Sequence, residues 1–191
     1  MQSIGFKKTS IKSTLVVIGP SDINKLFLFT SITKQKYLRT IDSLAKYLST
    51  KFEQLYIIPD DGVFLDFAIS FKKYNSNVCA YLPNNHELKY KLLEENTKKH
   101  HLNIKYTDWN WMKLNNLVVR NADTVLCLGY SSGVFIEIGN IKIARMWENK
   151  DISLIIDTRF VSSLLPKELA FDLPIIYYSS LQELKKHFEK L

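Results

Sequence analysis

The chain has 191 residues, 46% of them hydrophobic and 24% charged, ordinary globular values that exclude a disordered or fibrous protein and suit one α/β domain with a sizeable core. No apolar run approaches the roughly 20 residues needed to cross a bilayer, so no membrane role is expected. The formal charge of +7 allows a polyanionic partner, but the lysines are scattered (Lys7-Lys8, Lys34 and Lys36, Lys72-Lys73, Lys89 and Lys91, Lys98-Lys99, Lys185-Lys186), which reads as a solvated surface, and nucleic acid is not expected as a partner.

In chain order, Met1 to Ser13 holds lysines but no signal-peptide core, which points to a cytoplasmic protein. Thr14 to Ile18 is a β-branched apolar run that reads as a strand, ended by Gly19-Pro20-Ser21-Asp22. Ile41, Leu44, Ala45 and Leu48 share a helical face and predict a helix from about Lys34 to Phe52. Leu55 to Ile58 is a second strand, ended by Pro59-Asp60-Asp61-Gly62; Phe64, Phe67, Ala68 and Phe71 form the next helical stripe. Val78 to Leu82 is a third strand, stopped by Pro83. The polar segment that follows predicts a helix through Leu92 and Leu93 and a short strand at Ile104 to Tyr106.

A helical pattern over Trp111 to Asn121 leads to a strand at Thr124 to Leu128, a loop at Gly129 to Gly133 and another helix. Ile152 to Ile156 and Ile175 to Tyr178 are further strands, and Ser180-Leu-Gln-Glu183 fits a capping box before a last helix. Strands alternating with helices imply a Rossmann-like three-layer α/β/α fold with a mostly parallel sheet. Without repeats, low-complexity tracts or Pro/Gly linkers, residues 1–191 read as one domain. Cys79 and Cys127 sit in apolar runs and read as reduced packing residues; with no Cys-x-x-Cys spacing they make no metal site, and no cofactor is expected.

The stretch Asp123-Thr-Val-Leu-Cys-Leu-Gly-Tyr-Ser-Ser-Gly-Val-Phe-Ile-Glu-Ile-Gly139 carries the chemistry. A strand, a glycine-containing loop and a helix start make either a ready anion site, because the first helical N–H groups lack internal partners and the dipole favours negative charge, or an ordinary α/β turn that binds nothing. Gly129 and Gly133 permit close approach of backbone and ligand, and Ser131 and Ser132 either cap the helix or donate to phosphate. Tyr130 and Val134 belong to the same loop. Glu137 is either a carboxylate beside a ribose or a first-turn acid that complements the dipole.

In parallel sheets ligands bind at the carboxyl ends of the strands. Gly19 to Asp22, Asp60 to Gly62 and Gly129 to Gly133 all follow strands and would form one crevice if they lie side by side. Asp22, Asp60 and Asp61 bind a ribose there or serve as turn residues. Trp109 and Trp111 stack on a base or pack in the core. Arg120 meets a phosphate or pairs with Asp123. The adjacent pair His100-His101 points apart on a helix and is not a metal site.

The order of these loops resembles the SLOG superfamily, Rossmann-like proteins that include the LOG phosphoribohydrolases, over about Thr14 to Tyr178. Val17-Ile-Gly-Pro-Ser-Asp22 is similar to the first loop, and Tyr56-Ile-Ile-Pro-Asp-Asp-Gly-Val-Phe-Leu-Asp-Phe-Ala68 to the glycine-bearing second turn. Val78-Cys-Ala-Tyr-Leu-Pro83 and Ala122-Asp123 match later landmarks, and Gly129-Tyr-Ser-Ser-Gly-Val-Phe-Ile-Glu137 stands at the Pro-Gly-Gly-x-Gly-Thr-x-x-Glu motif. Gly133 and Glu137 match that motif; Gly129-Tyr130-Ser131 and Val134 depart from it. Leu114 and Asn115 occupy the places of the family's Arg-Lys pair, and Arg120 lies out of register with it.

The resemblance implies a nucleotide or nucleotide derivative at the loops, catalytic roles for Glu137 and Arg120, hydrolysis of an N-glycosidic bond of a nucleoside monophosphate, and a homodimer. The missing Arg-Lys pair keeps a non-catalytic nucleotide-sensing module open as the alternative. Gly133-Val-Phe-Ile-Glu-Ile-Gly139 and Gly19-Pro20 are also similar to nucleoside deoxyribosyltransferases, a third reading.

Overall fold

In the computed structural model residues 14–85 and 87–189 are described; Met1 to Ser13, with Lys7 and Lys8, lie outside them. The strands are β1 (Thr14–Ile18), β2 (Gln54–Ile57), β3 (Val78–Pro83), β4 (Asn103–Thr107), β5 (Thr124–Cys127), β6 (Ser153–Asp157) and β7 (Ile175–Tyr178). They form one parallel sheet in the order β4-β3-β2-β1-β5-β6-β7. Between them run α1 (Ile23–Phe29), α2 (Lys34–Leu48), α3 (Val63–Lys72), α4 (Leu88–Lys99), α5 (Trp111–Arg120), α6 (Ser132–Glu148) and α7 (Lys167–Ala170), and α8 (Leu181–Glu189) follows β7. This is the expected Rossmann-like three-layer α/β/α fold, all-parallel among the described strands.

The pleat sorts β1 between two cores. Leu15 and Val17 join the cluster formed with α2, α3 and α8, whereas Val16 and Ile18 join the one formed with α5 and α6. A strand buried on both faces must be apolar at every position, which is why Thr14 to Ile18 is so legible. Chain order runs from β1 to β4 in one direction and from β5 to β7 in the other. The switch point is therefore the gap between β1 and β5, with Ile18 paired to Cys127 at its carboxyl end.

Several boundaries shift for local reasons. Helix α2 ends at Leu48 rather than near Phe52, because the hydroxyls of Ser49 and Thr50 donate to the carbonyls of Lys46 and Tyr47 and offer the backbone an alternative to another helical turn. Helix α1 has no sequence stripe: only Leu26 is buried, while Leu28 and Phe29 face solvent. Its start is set by Asp22, whose carboxylate accepts from the Asn24 N–H at 3.0 Å. Thr158–Phe160 forms a 3-10 turn, and this and α7 have no periodicity that would announce them. The 3-10 turn follows Asp157, which is fully buried and holds Arg159 through two bonds of 2.8 and 2.6 Å.

Candidate functional site

The loops after β1, β2 and β5 meet at the carboxyl end of the switch point, around a crevice of about 280 Å³ lined by Gly19, Ser21, Lys25, Asp60, Ser131 to Val134 and Glu137. That is near the lower end of the ~300–1,000 Å³ of ligand clefts. Phe64 and Ile58 add apolar wall, and Trp111 and Asn115 of α5 close the far side.

Three glycines let these loops touch. A Cβ on Gly62, at φ +79°, would lie 2.3 Å from the carbonyl oxygen of Ser21, and the next residue's N–H donates to the Pro20 carbonyl at 3.3 Å. A Cβ on Gly129, at φ +123°, would strike Pro20 at 2.7 Å. On Gly19 it would meet Val63 at 2.8 Å. Gly133 differs: its Cβ would have only the Ser131 hydroxyl, 3.8 Å away, and Gly133 borders the crevice. Packing explains the other three, whereas at Gly133 the space beside the backbone is open to the crevice.

At the start of α6 the Ser131 hydroxyl accepts from the Val134 N–H at 3.3 Å, and the Ser131 carbonyl accepts from the Phe135 N–H. Those two amides are thus used internally. The N–H groups of Ser132 and Gly133 precede the first helical bond and turn outward at the positive end of a 17-residue helix dipole. Lys25 supplies the one cationic side chain among the described lining residues.

Glu137 lies one turn inside α6 and is only 5% exposed. Its Oε2 is buried without a hydrogen-bond partner among the described residues. Burial first, and the Asp60 carboxylate second, push its acidity from 4.5 up to about 8, so it is mostly protonated at neutral pH. Asp60 is half-buried; burial raises it also, while the Asp61 N–H, which donates to it at 3.0 Å, and Lys89 act in the opposite direction. The crevice therefore holds a neutral carboxyl able to donate a proton beside a second carboxyl group.

The remaining sequence candidates scatter. Pro20 is a buried loop-packing residue and Asp22 caps α1. Asp61 faces solvent and accepts from the Asn96 side chain at 3.0 Å. The Tyr130 ring stacks on Phe135, centroids 5.0 Å apart, with its hydroxyl buried; it does not line the crevice. Arg120 is not brought there at all. It ends α5, next to the start of β5, and pairs with Glu148 beside Asp123 and Lys150 at the amino end of the strands. Four strand residues, about 13 Å, separate that end from the loop after β5. Among the polar lining residues, sequence reasoning missed Lys25, on the unforeseen α1, and did not count Asn115, which stands where the resemblance leads one to look for a cation, as a site residue.

No family model and no curated protein matches the sequence. Among solved structures the chain is similar to the structural-genomics protein TM1055, with 18% identity over 94% of this chain and 99% of that one, at a TM-score of 0.62. It is also similar to DNA processing protein A from Helicobacter pylori, whose structure concerns a single-stranded DNA binding mode (12% identity, 94% and 81% of the chains, TM-score 0.61). The corresponding protein from Streptococcus pneumoniae gives 12% identity over 92% and 61% of the chains, TM-score 0.51. At these identities the likeness shows the fold.

One expectation is corrected by it. Nucleic acid was set aside as a partner, yet this fold occurs in a protein with a single-stranded DNA binding mode. Charge judged along the chain also overlooks groupings in space. Lys89, Lys105 and Lys113, distant in sequence, each lie within 6 Å of the centroid of a neighbouring ring, at Trp111, Tyr81 and Trp109. No helix among the described residues is long and apolar enough to cross a membrane.

Proposed function

We propose that the switch-point crevice binds a nucleotide, with phosphate at the Ser132 and Gly133 amides and Lys25, and the sugar toward Glu137 and Asp60. The observation that carries this reading is Glu137: an almost wholly buried carboxyl, one oxygen without a partner among the described residues, beside a helix N-terminus whose first amides precede the helical bonds. Being mostly neutral, it places little charge against a phosphate and offers a hydrogen bond to a sugar or base. The test is a thermal-shift panel of nucleoside monophosphates, dinucleotides and cyclic nucleotides on wild type and Glu137→Gln. Stabilisation of wild type by one class supports the reading; no shift at millimolar ligand refutes it.

Cleavage of the N-glycosidic bond, the activity that the LOG-like resemblance implies, is supported by the raised acidity constant of Glu137. Glu137 gives its proton to the leaving base as the C–N bond breaks, Asp60 faces the oxocarbenium-like sugar, and water adds at C1′ and returns a proton. Products are free base and sugar phosphate. Base release by wild type, abolished in Glu137→Gln while ligand stabilisation persists, distinguishes this enzyme from a sensing module, which binds without releasing base. The sensing module draws its support from Asn115, which puts an amide where the resemblance has a cation.

A homodimer through α6 is supported by its exposed stripe Ile136, Ile143 and Trp147, with Gly139 between them, whose Cβ would meet nothing within 4 Å. Small residues amid such a stripe let a second helix approach closely.

A further inference from the structure

A larger groove, about 450 Å³, opens at the β4 edge of the sheet, on the face that carries α5. Its walls are Tyr56 of β2, Tyr81 of β3, Lys105 of β4 and Trp109, with Leu117 and Val118 of α5 beneath. The pleat explains it. Alternate residues Tyr56, Tyr81 and Lys105 project to the same face, and α5 leaves the sheet edge to cross toward β5. Tyr56 and Tyr81 meet edge to face, centroids 5.1 Å apart at 85°. Neither ring is fully buried, and the side chain lying 5.4 Å over Tyr81 is the exposed, flexible Lys105 rather than packed core. Lys113 lies in the same way 5.8 Å from the Trp109 ring.

This groove adjoins the nucleotide crevice through one short loop. Trp109 lines the groove and Trp111 lines the crevice. Two residues apart, their Cα atoms stand within about 7 Å, the reach of successive nucleotides in an extended strand. Trp111 repeats the pairing: Lys89 lies 4.7 Å over its ring and Tyr90 stacks at 6.0 Å. Three rings, each with a lysine over it, thus lead from the sheet edge to the crevice mouth. Asp108 is the one acid among the described residues that line the groove.

We infer that the groove binds the bases of single-stranded nucleic acid, with a neighbouring nucleotide of the same strand in the switch-point crevice; the path rests on the crevice reading above. Bases stack on aromatic faces without regard to sequence, and lysines displaced from those faces reach the flanking phosphates. A duplex presents no such face, so the preference is for single strands. Whether the sugar is ribose or deoxyribose is left to the assay, because the stacking chemistry is shared.

The test is fluorescence anisotropy with labelled oligothymidylate and oligouridylate of about twelve residues, and with a duplex, on wild type, Trp109→Ala and Lys105→Glu. Wild type is expected to bind a single strand more tightly than the duplex, with quenching of tryptophan emission. Trp109→Ala should weaken binding about 10-fold. Lys105→Glu, an exposed change that leaves the fold intact, should flatten the slope of log affinity against log salt by about 0.7 or more. Thermal stabilisation by a mononucleotide should be unchanged in both variants.

Oligonucleotide affinity unaltered in both variants overturns the groove. Mononucleotide stabilisation without oligonucleotide binding also overturns it, while leaving the crevice reading standing. Neither form of binding overturns both.

Discussion

Glu137 gives a stability prediction that needs no ligand. Its folded-state acidity constant is about 8 against an ordinary 4.5. Between those values the unfolded chain has released the proton and the folded chain still holds it. The contribution is therefore fully present below pH 4.5 and is lost as pH rises through about 8. At about 1.4 kcal/mol per pH unit the interval is worth up to about 5 kcal/mol. Glu137→Gln keeps the shape of the protonated group and removes the titration. Urea unfolding from pH 4.5 to 9 should show the two proteins parting steadily, wild type losing stability relative to the variant up to about pH 8 and running parallel beyond it. Curves that run parallel throughout would mean that Glu137 is solvated or already paired, and the argument for a poised buried carboxyl would fall.

Glycine substitutions separate fold from site. Gly133→Ala has room for its Cβ and should leave the melting temperature unchanged or raised, while weakening nucleotide stabilisation; Gly62→Ala, strained at positive φ and against the Ser21 carbonyl, should cost about 1–3 kcal/mol in urea unfolding. Arg159→Met strands the fully buried Asp157 and should destabilise by about 3 kcal/mol, with much of the loss recovered by adding Asp157→Asn. If α6 pairs two copies, Trp147→Asp, on a side chain 82% exposed, should shift light-scattering mass from dimer to monomer without lowering the melting temperature of the monomer.

The parts of the fold visible in the sequence were those buried on two sides. β1 could be read residue for residue because both its faces meet a core, and α3 because Phe64, Phe67, Ala68 and Phe71 all turn inward. α1 could not be read, since a seven-residue helix with one buried side chain has no period to detect. In the crevice, Gly133, Glu137 and Asp60 were legible from their places just after strands. Arg120 was misread although its position held the answer: a residue before a parallel strand stands at the opposite end of the sheet from one after it. Lys25 went unseen along with α1. The ring–lysine path was hidden because each lysine comes from a different element, and only the β3–β4 register and the start of α5 bring them together.

Nucleotide binding at the start of α6 is the central claim, and thermal unfolding with a nucleotide panel, on wild type beside Gly133→Ala, tests it most directly. A ligand at 100 times its Kd adds about 2.7 kcal/mol to the folded state. The account predicts a rise in melting temperature for wild type with at least one nucleotide class, and a much smaller one for Gly133→Ala. Equal rises in the two proteins would place the ligand elsewhere, and no rise in wild type at millimolar concentration would contradict the nucleotide reading itself.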